Sequence, residues 1–228
     1  MKRFVTLLIL TAALPLTAKV YWPGSGRGNS AAPRQSFAEE SGARHQMSEP
    51  VIFNGVSTEV KVFRLQRDLT GFLEELRRRF PALTIRESAG GTLLYWQKNA
   101  KWRERILLVA TPGSDVVTAF SIVLPVEMPP MPPLPEDMPP LPGAAVRELM
   151  KFPERNSTVV NFSFAGGREK ALLHAESWLR SRGFLPLTGE SALPGAKGEI
   201  YRNSKSGELF LISVSPDGSG TMMRSLLK

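Results

Sequence analysis

Cysteine is absent from the 228 residues, which excludes disulfide bridges, thiolate metal ligands, a cysteine nucleophile and the lipid-bearing N-terminal cysteine of a bacterial lipoprotein. Stability must therefore come from packed cores. Histidine is nearly absent as well, with only His45 and His174. His45 lies in a stretch rich in Gly, Ser and Pro. His174 falls between Ala171 and Trp178 at helical spacing, at the border of a helix–sheet contact, with no orienting partner or nucleophile placed near it. Glu176, Glu190, Glu199 and Glu208 offer carboxylates, but no spacing singles out an acid–base pair. Gly166-Gly167-Arg168 has two glycines and a base at a helix start, where exposed amides can bind an anion. It lacks the rest of a nucleotide-binding loop, so a strand-to-helix turn is the simpler reading. The expectation is a protein without catalysis, cofactor or metal, with a hydrolase built on His174 and a carboxylate as the weakest rival.

Long apolar runs are missing except at the start. Met1-Lys2-Arg3 precedes an apolar run from Phe4 to Ala18, interrupted by Pro15 and followed by Lys19. This is the pattern of a secretory signal, with cleavage after Ala18. An uncleaved anchor is the competing reading, but fifteen helical residues rise only about 22 Å against a hydrocarbon core of about 30 Å. Membrane contact is thus expected only through this segment, and only if it is retained. Two glycosylation-like triplets at Asn156 and Asn161 overlap an expected strand, which a sugar would disrupt. A periplasmic or extracellular bacterial setting fits them better than a eukaryotic secretory route.

What is present is a positive charge, net +8, unevenly placed. Residues 56–124 carry 11 Lys/Arg against 7 Asp/Glu, residues 143–228 carry 12 against 8, and residues 125–142 carry three acids and no base. Basic surface on an exported protein points to anionic glycan, lipid headgroups, nucleic acid or acidic proteins. The acidic segment holds nine prolines in eighteen positions, a composition that favours a stiff polyproline II rod. Met128, Met131 and Leu134, three apart, lie along one edge of that rod, able to dock on a domain or to meet a proline-recognising groove.

Local patterns then suggest the fold. Asp68 is a candidate N-cap for a helix with the apolar stripe Leu69, Phe72, Leu73, Leu76 and Phe80, ended by Pro81. Leu172, Ala175 and Leu179 form a second such stripe, ended at Gly183. Extended runs flank both helices. The expected fold class is α+β: two tandem repeats of a strand–helix–three-strand unit, each one helix on a mainly antiparallel sheet, joined by a Pro-rich linker. The corresponding boundaries are a signal peptide at 1–18, a flexible spacer at 19–55, repeats at 56–124 and 143–228, and the linker at 125–142. Within the spacer, Val51-Ile52-Phe53 reads as a short added strand or docking segment.

The most suggestive surface is the first hairpin. If its turn centres on Asn99-Ala100, Trp96 opposes Arg103 and Leu94 opposes Arg105, leaving Leu93, Tyr95 and Ile106 for the helix. Leu94, Trp96, Arg103 and Arg105 would then form an aromatic, basic patch for a partner, or the face on which the rest of the protein packs. The expectation is an exported, non-catalytic envelope protein that acts as an adaptor or binding module towards a protein partner, with an anionic envelope polymer as the alternative ligand. N-terminal sequencing of the exported protein should return a chain beginning near Lys19; an intact Met1 would show a retained anchor.

Overall fold

The computed structural model describes residues 36–88, 91–110, 115–187 and 197–226. The expected signal peptide, the spacer up to residue 35, the turns at Gly90 and at Pro112-Gly113-Ser114, and Glu190 lie outside the described residues. The chain divides into two compact units, one of Met1–Pro50 with Thr58–Met128 and one of Val51–Ser57 with Pro129–Lys228.

In the first unit, helix α1 (Phe37–Glu40) precedes strand β1 (Arg44–Phe53), whose last three residues belong to the second unit. Strand β2 (Val56–Gln66) leads to helix α2 (Leu69–Arg79), followed by β3 (Thr84–Ser88), β4 (Gly91–Gln97), β5 (Trp102–Ala110) and β6 (Val116–Pro125). The strands line up in the order β3–β4–β5–β6–β2, with antiparallel ladders throughout. Asp68 caps α2 by accepting from the Thr70 and Gly71 amides at 3.1 and 2.6 Å. Phe72, Leu73 and Leu76 of α2 pack on Phe63 and Leu65 of β2, Leu94 of β4, Ile106 and Leu108 of β5, and Val117 and Ala119 of β6. Phe37 and Ala38 of α1 complete that core, their side chains buried.

In the second unit, β7 (Ala144–Phe152) pairs with β8 (Ser157–Phe164), and helix α3 (Arg168–Ser181) leads to β9 (Phe184–Leu187), β10 (Lys197–Asn203), β11 (Glu208–Val214) and β12 (Ser219–Leu226). The strand order is β7–β8–β12–β11–β10–β9. Ile52 and Phe53 add to the outer side of β7, opposite Lys151 and Met150. The turn that follows them, Asn54-Gly55, has positive φ at both residues, 49° and 84°, which is the hairpin chemistry of Asn-Gly. Asn54 is also held from both sides. Its amide donates to the Leu149 carbonyl at 2.8 Å, and its side-chain oxygen accepts from the Leu149 amide at 2.6 Å. Ala171, Leu172, Ala175 and Leu179 of α3 pack on Phe162, Phe164, Tyr201, Phe210, Ile212 and Met222. Met138 and Leu141, from the proline-rich segment, are buried in the same core.

The expected fold class does not hold. The described residues form mostly antiparallel sheet, with twelve strands and few helices, and not two strand–helix–three-strand α+β repeats. Four strands follow each long helix rather than three, β7 stands outside the expected pattern, and of β1 only Val51-Ile52-Phe53 was expected, as a short added strand or docking segment. The start of β1 escaped for a physical reason. The first five residues of β1, Arg-His-Gln-Met-Ser, are exposed on both faces and carry no apolar alternation. The spacer expectation for 19–55 likewise differs from residues 36–55, which are helix, strand and turn. Among the described residues no helix is long and apolar enough to cross a membrane.

Leu76 and Leu179 are fully buried at the centres of the two helix–sheet contacts. Leu76→Asp and Leu179→Asp should each lower the stability of the unit that carries them by more than about 3 kcal/mol, because each buries an unpaired carboxylate. Denaturant unfolding followed by tryptophan fluorescence would measure this, and parent-like midpoints would show that these helix faces are misassigned.

Candidate functional site

The first hairpin closes through four residues, Lys98 to Lys101, instead of a two-residue turn. The Asn99 side-chain oxygen accepts from the Lys101 and Trp102 amides at 2.9 and 3.0 Å, and the Trp102 carbonyl accepts from the Lys98 and Asn99 amides. This shifts the register by one residue, so that Trp96 faces Glu104, Leu94 faces Ile106, Tyr95 faces Arg105 and Gln97 faces Arg103. Because side chains alternate with period two, a one-residue slip exchanges the faces. Leu94 is buried under α2, and Trp96 packs on the same core, edge-on to Phe37 with centroids 4.7 Å apart. Arg103 and Arg105 lie on the other face, where Arg86 and Arg105 both stand over the Tyr95 ring, at 5.8 and 5.6 Å. The four residues expected to share one patch are thus split two and two.

The register that removes this patch assembles another cluster. Glu104, fully buried, accepts from the Ser36 hydroxyl at 2.5 Å, the Ser121 hydroxyl, the Phe37 amide at 2.8 Å and the Lys98 ammonium at 3.1 Å. Ser36 also caps α1, accepting from the Ala38 amide at 3.1 Å, while Glu39 accepts from the Ser36 amide at 2.8 Å. Serine, lysine and glutamate side chains together resemble catalytic equipment, yet Ser36 and Ser121 are about as buried as Glu104. Each carboxylate oxygen accepts two bonds, one from the start of α1 and one from Ser121 or Lys98, so this is a fastening of α1 to the sheet. Its sequence signal was the box Ser36-Phe37-Ala38-Glu39.

The remaining titratable candidates are dispersed. His174 is half-buried and edge-on to Phe164. Glu176 pairs with Arg180 at 2.7 Å, Glu208 pairs with Arg224, and Glu199 accepts from the Tyr201 hydroxyl. Burial pushes the Tyr201 phenol well above its usual range, and its bond to the Glu199 carboxylate adds to the shift. Among the described residues no group of three or more His, Asp or Glu could hold a metal ion.

One surface is left that packing does not explain. On the side of the second sheet away from α3, Leu187 of β9 lies directly opposite Ile200 of β10, and Leu185 lies opposite Arg202. Leu185, Leu187 and Ile200 are 59%, 47% and 42% exposed, three of the six large hydrophobic side chains that stand out among the described residues. Leu209 and Leu211 of β11, half-exposed, continue the same face beside Arg202 and Ile200. The alternate residues Phe184, Tyr201 and Phe210 are buried in the core, so the strands are apolar on both sides. That double apolarity is unusual for an edge region. The edge itself is blunted, since β9 is four residues long and Pro186 removes a donor from its middle. Addition of a further strand is disfavoured, and the flat apolar face remains as the candidate surface. The signal was legible in Phe184-Leu185-Pro186-Leu187, a continuous apolar run without the polar alternation of a strand that has one solvent face.

Comparison of the chain with protein-family models, with curated proteins and with solved structures finds no match.

The Glu104 fastening is open to a direct check. Glu104→Gln should destabilise the first unit by about 3 kcal/mol, because it leaves the buried Lys98 ammonium facing a neutral amide. Denaturant titration would measure the loss, and limited proteolysis should show new cleavage between residues 36 and 44.

Proposed function

We propose that this chain is an exported bacterial envelope protein that works as a binding module, holding a protein partner on the outer face of β9, β10 and β11. The observation that carries the reading is the exposed apolar row Leu185, Leu187 and Ile200 on a rigid sheet whose other face is core. A contiguous apolar face rimmed by polar residues is what an interaction surface requires. Arg202, exposed between Leu185 and Leu209 on the same side, supplies a cation for orientation. The complementary partner surface is apolar with an acidic group. The enclosed state of Glu104 and the separate pairings of Glu176, Glu199 and Glu208 support an adaptor role over catalysis. Anionic polymer is the less favoured ligand, because two of the three arginines that end α2 are already paired, Arg77 with Glu87 and Arg79 with Glu75.

The test is capture of the partner from envelope extract by the mature chain, set against a variant carrying Leu187→Thr and Ile200→Thr, which keeps strand propensity while removing apolar area. Loss of an anchor of about 2 kcal/mol predicts capture weakened roughly 30-fold with the melting temperature nearly unchanged. Unchanged capture by the variant would refute this surface. Capture by the parent that collapses steeply with added salt would favour a polyanion instead.

A further inference from the structure

The proline-rich segment contains one pentapeptide twice. Met131-Pro132-Pro133-Leu134-Pro135 and Met138-Pro139-Pro140-Leu141-Pro142 are identical and seven positions apart. The structure treats the two copies differently. In the second, Met138 and Leu141 are 1% and 6% exposed and belong to the core of the second unit. That copy is tied down by the ion pair of Asp137 with Arg224, and the Met138 amide closes a turn onto the Pro135 carbonyl at 3.0 Å. In the first copy Met131 is 38% exposed, Pro133 is exposed, and Leu134 only borders the core. The stretch before it also lies open, with Pro129 and Pro130 exposed, and begins where the Val126 amide donates to the Lys101 carbonyl at 2.8 Å.

We propose that residues 127–134 are a docking peptide, displayed at the surface with Met131 as its anchor, for a proline-reading protein partner. Three observations support this. The buried copy shows what receives such a segment: apolar core side chains that enclose a Met and a Leu three residues apart. In the open copy Met131, at the place of Met138, is exposed, while Leu134 borders the core. Because the segment is stiffened by proline, little conformational freedom remains to be lost on binding. Residues 125–142 carry Glu127, Glu136 and Asp137 and no base, and Asp137 is taken by Arg224. Glu127 and Glu136 remain exposed, so the complementary groove is apolar with a basic rim.

The experiment is a calorimetric titration of the intact chain with a panel of purified WW and SH3 domains whose grooves have basic rims. A synthetic peptide of residues 126–136 is titrated in parallel. Saturable binding of at least one domain to the intact chain is expected, at least tenfold weaker for a variant carrying Met131→Glu and Pro133→Ala with the parent melting temperature. Leu187→Thr with Ile200→Thr should leave this binding unchanged, so failure here and failure of the β9–β10–β11 surface are separately visible. The proposal is overturned if no domain binds saturably, if only the free peptide binds, or if the variant binds as the parent does. A dimer of the parent in sedimentation that Met131→Glu dissolves would also overturn it, by making the occupant a second copy of this chain.

Discussion

An α-helix with its side chains is about 10–12 Å across, whereas five strands about 4.8 Å apart present a face of about 20 Å, so a single helix leaves much of each sheet bare. Each unit meets this shortfall with a second covering element of a different kind. In the first unit it is α1, which places Phe37 against Phe80 and Trp96, each with ring centroids 4.7 Å away. In the second it is the proline-rich segment, which supplies Met138 and Leu141. Neither cover is a strong structural element. A four-residue helix is below the length at which helices persist alone, and a polyproline rod has no internal hydrogen bonds. Both are ordered because the sheet beneath them has apolar area to hide.

Each cover is also tied to its sheet by a charged group. Glu104 gathers four donors, two of them from the start of α1, and Arg224 reaches both Asp137 of the strap and Glu208 of β11. Ion pairs of this kind contribute modestly to net stability once desolvation is subtracted, but removing one partner is costly. They favour one docked position over its neighbours. That selectivity matters in a strap containing the same five residues twice, since apolar contact alone would accept either copy. Asp137 immediately precedes the second copy, whereas the residue before the first is Pro130. The ion pair with Arg224 therefore distinguishes the two registers.

Local chemistry was readable where it is self-contained. The Asp68 cap, the stripe through Leu76, the αL glycine at 183 and the stripe through Leu179 all reflect interactions within a few residues, and they appear in the structure. Features that depend on distant partners were not readable. The hairpin at Asn99 turned on whether its loop held two residues or four, and one residue of slip moved Trp96 from a presumed surface to a half-buried place against the core. Nothing near Glu104 announces that its hydroxyl partners lie 68 and 17 positions away. The polar strand β1 and the twelve-strand total were hidden for the same reason: these segments are strands because of what they pair with. Asn54-Gly55 was the exception, a strong hairpin signal that stood within a stretch taken as spacer. The apolar face at Leu185, Leu187 and Ile200 was visible as composition, but only the ladder to β10 shows that those side chains point the same way.

The position of β12 bears on the timing of folding. This strand is synthesised after every other element of its sheet, yet it lies between β8 and β11 rather than at an edge. Until Ser219 to Leu226 are available, β8 and β11 have no shared neighbour, and the sheet of the second unit is split into two pieces that cannot close a core. The ladder between Ser157 and Ser225 joins residues 68 apart, the kind of distant contact that makes folding slow. The second unit therefore stays open until synthesis has passed Leu226.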